Sequence, residues 1–135
     1  MLQSQTIGKL AAEAGVSVET IRYYQRRRLF PVPKRLNGSA RRYGKTEAER
    51  LRFIKRARLL GFPLKRIEQL LGLWNDRQRA SAEVKALAEA HAAELGARIA
   101  EMQAMQRSLQ ALARDCQGDS RPECPILDDL AGPGR

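Results

Sequence analysis

Cys116 and Cys124 are the residues of this 135-residue chain best suited to chemistry. Both lie in one short polar segment near the C-terminus, DCQGDSRPECPIL (115–127), and seven residues separate them. The start of the chain lacks the apolar core of a signal peptide, which predicts a cytoplasmic protein. Thiols are kept reduced in that compartment, so a pair of this kind is more often metal-binding or redox-active than a structural disulfide.

The donor set of this segment favours a soft monovalent metal ion. Two thiolates suit a d10 ion such as Cu(I), Ag(I) or Au(I), which accepts two sulfur ligands. Zinc ordinarily requires four ligands in a tetrahedron, and the segment offers neither a second cysteine pair nor a histidine. The sole histidine, His91, is interpreted as a packing residue. Three carboxylates could lend oxygens: Asp115, Asp119 and Glu123.

The residue after Cys124 adds an electrostatic argument. If Pro125 is the first residue of a short helix, Cys124 is its N-cap. The positive end of the helix dipole would then favour a Cu(I)–dithiolate centre, which carries a net charge of −1. A mercury(II) dithiolate would be neutral, so charge favours a monovalent ion without excluding a divalent one. A disulfide or an incidental pair of thiols is the alternative.

Charge is unevenly distributed along the chain, whose formal net charge is +10. Residues 1–70 carry 17 basic and 5 acidic side chains, whereas residues 71–135 carry 8 and 10. Phosphate neutralisation by Lys and Arg supplies most non-specific affinity for nucleic acid. The first half is therefore predicted to bind nucleic acid. No stretch approaches the roughly 20 apolar residues of a membrane span, so no membrane partner is expected.

The first thirty residues predict a helix-turn-helix. Thr6 caps a helix that runs through about Ala14, and Gly15 supplies a left-handed residue after it. Ser17 then caps a second helix, VETIRYYQRRR. Two helices joined by a tight Gly-containing turn form this motif, and its second helix enters the major groove of DNA.

A basic segment, FPVPKRLNGSARRYGKT, follows the second helix. Asn37-Gly38 suits a tight hairpin turn, so the segment is predicted to be the wing of a winged helix. The residues assigned to DNA lie on the second helix and on this wing: Thr20, Arg22, Tyr24, Arg41, Arg42 and Tyr43.

Two more helices follow the wing. The first is predicted to begin with Thr46 as its cap and to end at Gly61. Its inner stripe is Leu51, Ile54, Ala57 and Leu60. The second begins at Pro63, which the first turn of a helix tolerates.

A long helical pattern then runs from about Arg79 to Ala113 and contains no proline. Some 35 residues make a helix of roughly 50 Å, which cannot fold alone. An imperfect heptad seam predicts that a second copy of the chain covers it. The alternative is that the helix folds back on its own domain.

Three stretches carry a resemblance to a known family: TIGKLAAEAGVSVETIRYYQRRRLF, NGSARRY and RLRFIKRARLLGFPLKRIEQLL. From about Thr6 to Leu71 the chain resembles the MerR family of metal- and drug-responsive transcription regulators. The remainder, NDRQRASAEVKALAEAH and RDCQGDSRPECPIL, is similar to its copper(I)-sensing, CueR-type branch. Gln117 departs from that pattern, in which proline is frequent.

The resemblance implies a mainly α fold: a winged helix-turn-helix DNA-binding domain (residues 1–75), a long antiparallel dimerisation helix (76–113), and a metal-binding loop with a short helix and tail (114–135). It implies a homodimer on double-stranded promoter DNA that activates transcription by RNA polymerase through a metal-dependent distortion of the promoter. Cu(I) would be the effector, with Ag(I) or Au(I) also accepted, and Cys116 and Cys124 its ligands.

In the implied antiparallel dimer, Ser81 would lie over the thiols of the partner chain. Relatives that sense divalent ions have a third cysteine at this position, and serine cannot replace that soft anionic ligand. A divalent-metal or mercury sensor and a ligand-independent architectural DNA-binding protein are the alternatives. No nucleophile–base grouping or cofactor motif suggests an enzyme.

Overall fold

A computed structural model of the chain describes residues 4–35 and 38–132. Over these ranges it contains the helices α1 (Ile7–Ala14), α2 (Val18–Arg26), α3 (Lys45–Leu59), α4 (Leu64–Asn75), α5 (Ser81–Asp115) and α6 (Pro125–Ala131). The chain divides into two compact units, one up to Ala80 and one from Ser81 onward. None of the helices in the described ranges combines the length and the apolar character that a membrane span requires.

The helix-turn-helix is set by its end residues. Thr6 accepts a hydrogen bond from the Lys9 backbone N–H at 3.3 Å, and Ser17 accepts one from the Thr20 N–H at 3.0 Å. Between the two helices, Gly15 has a φ of 70°, a conformation that glycine adopts without strain. A core of buried side chains then packs α1 and α2 against α3 and α4: Leu10, Ala11, Ile21, Leu51, Ile54, Ile67 and Leu71.

Helix α3 begins earlier than predicted. Its N-cap is Gly44 rather than Thr46, because the Glu47 carboxylate accepts the Gly44 backbone N–H at 2.7 Å and fixes the start of the helix there. The predicted core position of Leu60 is also wrong: this residue is the C-cap and is 48% exposed. Phe62, which follows the turn at Gly61, is buried in the core.

The predicted wing differs from a regular hairpin. No strand is assigned in residues 27–35 or 38–44, and the only pairing assigned there is an isolated antiparallel bridge between Gln5 and Tyr43, with both N···O distances 2.8 Å. Pro31 and Pro33 lack the N–H that a ladder requires, which accounts for the irregular backbone. Asn37, half of the predicted turn, lies outside the described residues.

Helix α4 carries the only tryptophan of the sequence near its end. The Trp74 ring stacks on Phe53 of α3, with centroids 4.5 Å apart and an interplanar angle of 13°. Trp74 remains 44% exposed, so the pair lies at the surface of the first unit. This stack fixes the end of α4 against α3.

Helix α5 is the main element of the second unit. It contains 35 residues, and α6 packs against it. One side of α5 carries apolar side chains that are each more than half exposed: Ile99, Met102, Met105 and Leu109. Their spacing of three and four residues places them on a single helical face that the described chain leaves uncovered.

Candidate nucleic-acid interface and metal-binding loop

The outer face of α2 is the candidate surface for reading DNA. Thr20 and Arg22 lie there, and the Thr20 hydroxyl lies 2.8 Å from the Ser17 hydroxyl. Arg22 is exposed, as is Tyr23, over whose ring the Arg27 guanidinium lies at 6.0 Å from the centroid. A cationic and hydrogen-bonding helix face of this kind can contact phosphates and base edges in a major groove.

Two tyrosines assigned to DNA have buried rings. Tyr24 is 7% exposed and Tyr43 is 2% exposed. The Tyr43 ring stacks on Phe30 with centroids 6.0 Å apart, and its hydroxyl accepts a hydrogen bond from Gln25 at 2.9 Å. Both rings therefore belong to the core, and the assignment of these two residues to DNA stays a prediction. The exposed tyrosine of this region is Tyr23.

The two wing arginines differ in their surroundings. Arg42 donates to the Ser4 hydroxyl at 3.2 Å and to the Ser4 carbonyl at 2.7 Å, which ties the loop to the N-terminal segment. Arg41 has a buried Nε for which the described residues offer no hydrogen-bond partner. It lines a cleft of about 230 Å³ together with Arg22 and Arg35.

This cleft lies between α2 and the wing, and three of its lining residues are arginines, the residue type that pairs with backbone phosphates. Sequence reasoning did not assign Arg35 to DNA. Arg35 could have been found from its position in the basic stretch PKRLNGSARR. That it lines the same cleft as Arg22 is visible only in the folded structure.

Each cysteine lies at the end of a helix. The Cys116 backbone N–H bonds to the carbonyls of Leu112 and Ala113 at 3.2 and 3.3 Å, which completes the last turn of α5. Cys124 is the N-cap of α6, with Pro125 as its first residue, as the sequence predicted. Both thiols are free and half-buried. The two donors are thus held by the ends of two helices that pack on each other.

Asp119 adds little to this donor set. Both oxygens of Asp119 are engaged by Arg121, which holds the pKa of the Asp119 carboxyl below its ordinary value through a side-chain hydrogen bond and then a backbone one. Across the described ranges, no group of three or more His, Cys, Asp and Glu side chains could hold a metal ion. The loop offers two thiols, a donor set that fits a soft ion of low coordination number.

Ser81 and His91 are both remote from the thiols within one chain. Ser81 is the first residue of α5 and Cys116 directly follows its last, so the helix separates them by about 50 Å. His91 is buried, with 6% exposed, and precedes Cys116 by 25 residues on the same helical path, about 37 Å. Within a single chain, neither side chain reaches the loop.

Comparison with known proteins gives one family for both units. Residues 5–73 match the family described as "MerR HTH family regulatory protein", and residues 48–112 match the one described as "MerR, DNA binding". Among curated proteins, "Heavy metal-dependent transcription regulator 2" of Rhizobium meliloti (strain 1021) is 47% identical over 93% of this chain and 85% of its own length. "HTH-type transcriptional regulator CueR" of Salmonella typhimurium (strain LT2) is 36% identical over 93% of this chain and 91% of its own length.

A solved structure shares the fold over nearly the whole chain. The transcription regulator PbrR691 from Ralstonia metallidurans CH34, solved in complex with lead(II), superimposes with a TM-score of 0.81. It is 36% identical in sequence, and the match covers 93% of this chain and 98% of that one. The mainly helical fold, with a helix-turn-helix ahead of a long helix, is therefore confirmed by both sequence and structure.

Proposed function

This chain belongs to the MerR family of helix-turn-helix transcription regulators, and we propose that it is a metal-responsive activator whose effector is Cu(I). As a member of this family it is a DNA-binding regulator and not an enzyme. The proposal of a heavy-metal effector is supported by the names of its relatives, among them a heavy metal-dependent regulator and CueR. The proposal of Cu(I) rests on the loop that holds the two cysteines.

The donor set carries that argument. Cys116 and Cys124 are free, half-buried thiols, and the described residues add no third ligand to them. Two thiolates complete the coordination that Cu(I), Ag(I) and Au(I) accept, whereas zinc would lack half of its usual ligands. Cys124 caps α6, so the positive end of that helix faces a centre of net charge −1. When bound, the ion would link the ends of α5 and α6 through its two sulfur ligands.

A homodimer formed through α5 is the second part of the proposal. The face that includes Met102 and Leu109 exposes enough apolar surface to favour a partner helix. In an antiparallel pair, the start of one α5 would lie beside the end of the other. Ser81 of one chain would then lie over Cys116 and Cys124 of its partner, a proximity that a single chain cannot provide. A serine there leaves the site with two soft ligands.

The proposed switch acts through the shape of promoter DNA. Arg22, Arg35 and Arg41 would hold a backbone phosphate, and the two copies in a dimer would grip two half-sites. Metal binding would shift the dimer toward a form that bends and untwists the promoter, so that RNA polymerase can engage it. Such a shift requires only that the metal-bound and metal-free forms prefer different DNA shapes.

A divalent-metal sensor is the competing function. The observation that favours it is the 36% identity and shared fold with PbrR691, whose structure contains lead(II). Ligand number separates the two functions, because a site for a larger divalent ion would require donors beyond the two thiols of this loop.

Metal titration under reducing, anaerobic conditions tests the proposal. Promoter output should rise with Cu(I) and Ag(I) and stay near the metal-free level with Zn(II), Cd(II) and Pb(II). Cys116→Ser and Cys124→Ser should each abolish the response while leaving operator affinity nearly unchanged, since the loop lies outside the basic half of the sequence. A response to lead(II) that exceeds the response to Cu(I) would favour the competing function.

Two controls accompany these variants. Ser108→Cys adds a thiol at an exposed position of α5 and should leave the metal response unchanged, because the new sulfur lies outside the loop. Operator affinity, measured on the same cysteine variants, reports whether the DNA-binding unit is intact. A large loss of operator affinity in Cys116→Ser would instead make the cysteines structural.

A further inference from the structure

We infer that Asp119 and Arg121 form a clasp that positions the two thiols for metal binding, an inference that rests on the proposed metal site. The Asp119 carboxylate accepts three contacts from Arg121. Its Oδ1 accepts the Arg121 backbone N–H at 3.0 Å, and its Oδ2 accepts Nε at 2.9 Å and lies 2.8 Å from Nη2. Two nitrogens of the guanidinium fork thus meet one carboxylate oxygen, while the other oxygen takes the backbone N–H, and the rigid fork orients the Arg121 side chain.

The clasp lies midway along the connection between the cysteines. At one end, the Cys116 N–H is bonded into the last turn of α5. At the other, the Cys124 carbonyl accepts the Asp128 N–H at 3.0 Å and starts α6. Gly118, with a φ of 66°, turns the chain just before the clasp. The clasp therefore divides the connection between the thiols into two short segments.

Dividing the connection changes the entropy of metal binding. A free loop loses conformational freedom when a metal ion joins its ends, and that loss opposes binding. A loop whose segment from Asp119 to Arg121 is already ordered loses less, so the thiols bind more tightly than they would on a free loop. Arg121 also holds the pKa of the Asp119 carboxyl below its ordinary value, through its side-chain and then its backbone hydrogen bond.

If Asp119 and Arg121 acted only through their charges, their substitutions would change metal affinity in opposite directions, which makes the inference testable. Removing the cation of Arg121 would make the loop more negative and strengthen the binding of a metal cation. Removing the anion of Asp119 would weaken it. A clasp requires both partners, so loss of either one should weaken binding. The two explanations differ in the sign of the Arg121 effect.

The experiment measures the affinity of Ag(I) and Cu(I) against a competing chelator, anaerobically, for the full-length chain. The variants are Asp119→Ala, Arg121→Ala, the double variant and Arg121→Lys, with Asp129→Asn as a control that removes one exposed carboxylate charge outside the loop. We expect each alanine variant to weaken binding about twofold to fivefold, the range of an exposed ion pair. The double variant should be no weaker than the worse single variant, since both remove one interaction.

The conservative variant separates geometry from charge. Lysine keeps the positive charge but cannot reproduce the guanidinium fork, so Arg121→Lys should bind less tightly than the unaltered chain. Thermal unfolding and operator affinity should be unchanged in every variant, and the thiolate-to-metal absorption band should keep its position. Unchanged folding together with weaker metal binding is the outcome expected of positioning residues.

Tighter binding by Arg121→Ala would overturn the clasp, as would additive effects in the double variant or unchanged affinities throughout. The failure of the proposed metal site has a different signature. In that case the unaltered chain would bind no ion through its thiols, and Cys116→Ser would leave its titration unchanged. That result would overturn both proposals. The three outcomes that overturn the clasp alone leave the proposed two-cysteine site intact.

Discussion

Single arginines in the first unit serve two different purposes. Arg50 donates its Nε to the Leu29 carbonyl at 2.7 Å, and Arg58 donates to the Phe62 carbonyl at 3.1 Å. These groups satisfy backbone acceptors and stabilise the fold. Arg22 instead projects from the outer face of α2 beside the arginine-lined cleft. We expect a basic residue in that position to contribute to DNA binding rather than to folding.

Replacing Arg22 by alanine should weaken operator binding by about 1–3 kcal/mol and leave thermal stability nearly unchanged. Fluorescence anisotropy with labelled operator at fixed salt measures the operator affinity, and thermal unfolding measures the stability. Arg107→Ala is the matched control, because it removes the same charge from an exposed position on α5. Equal losses in the two variants would show that the effect is general electrostatics and not contact by α2.

The titration of Asp119 tests its contact with Arg121. Because Arg121 lowers the pKa of Asp119, the stabilising contact is present above the ordinary aspartate value of 3.8 and is lost as the pH falls through the lowered pKa. In Arg121→Ala the pKa should rise back toward 3.8. Carboxyl carbon NMR shifts measured against pH report it directly. Identical titration curves for the two proteins would contradict the contact.

The tyrosines show what single-residue reasoning could and could not recover. Tyr24 follows Ile21 by three residues and so lies on the same inward face of α2, a signal that helical spacing contained. Tyr43 gave no such signal. Its burial depends on pairing with Gln5 and stacking on Phe30, contacts between segments that are distant in sequence. An aromatic residue within a basic stretch suggests DNA contact equally well until the fold is known.

Helix ends are the best-predicted features at the scale of elements. Ser17, Gly15 and Pro125 perform the roles that their residue types indicate. The start of α3 was harder to predict, because Thr46 offers a side-chain acceptor that Gly44 lacks, although the two residue types rank about equally as N-caps. The hydrogen bond from the Gly44 N–H to the Glu47 carboxylate fixes Gly44 as the N-cap. In the sequence, the indication was a glutamate three residues after a possible N-cap. The end of a helix can be predicted from the sequence when only one nearby residue is a good cap. When two nearby residues are suitable caps, the sequence alone does not distinguish them.

Gly96 offers a test of α5 as an element. It lies inside the helix, and a Cβ added there would meet nothing within 4 Å. Gly96→Ala should therefore stabilise the protein by about 0.5–1 kcal/mol through helix propensity alone. Ala97→Gly, at the exposed neighbouring position, should destabilise it by a similar amount. Chemical denaturation compares the two; a loss of stability in Gly96→Ala would mean that a partner chain packs closely against this glycine.

For the whole molecule, the division of charge matches the division into units. The first unit contains the basic excess and the arginine-lined cleft, and the second contains the exposed apolar face of α5 and the two thiols. DNA affinity and metal response are therefore expected to respond to different substitutions. The sequence alone predicted this separation, because charge counts and hydrophobic spacing need no three-dimensional information.

Ser81→Cys tests the proposed assembly. In an antiparallel dimer, this substitution would add a third thiolate from the partner chain, so promoter output with Zn(II) and Cd(II) should rise above the metal-free level. In the unaltered protein it should remain near that level. Ala82→Cys adds a thiol at the next exposed position and should leave the response unchanged. If Ser81→Cys behaves like Ala82→Cys, the start of one α5 does not approach the loop of another.

The stacked pair of Phe53 and Trp74 gives the protein an intrinsic fluorescent probe. A lone tryptophan means that all indole emission comes from one place, one residue before the end of α4 and six before Ala80, where the first unit ends. With 44% of its surface exposed, the ring emits from a partly aqueous environment. Any rearrangement that separates it from Phe53 would change the wavelength and quantum yield of that emission. A metal or operator titration that separates the two rings would therefore be visible in the tryptophan emission, without an attached dye.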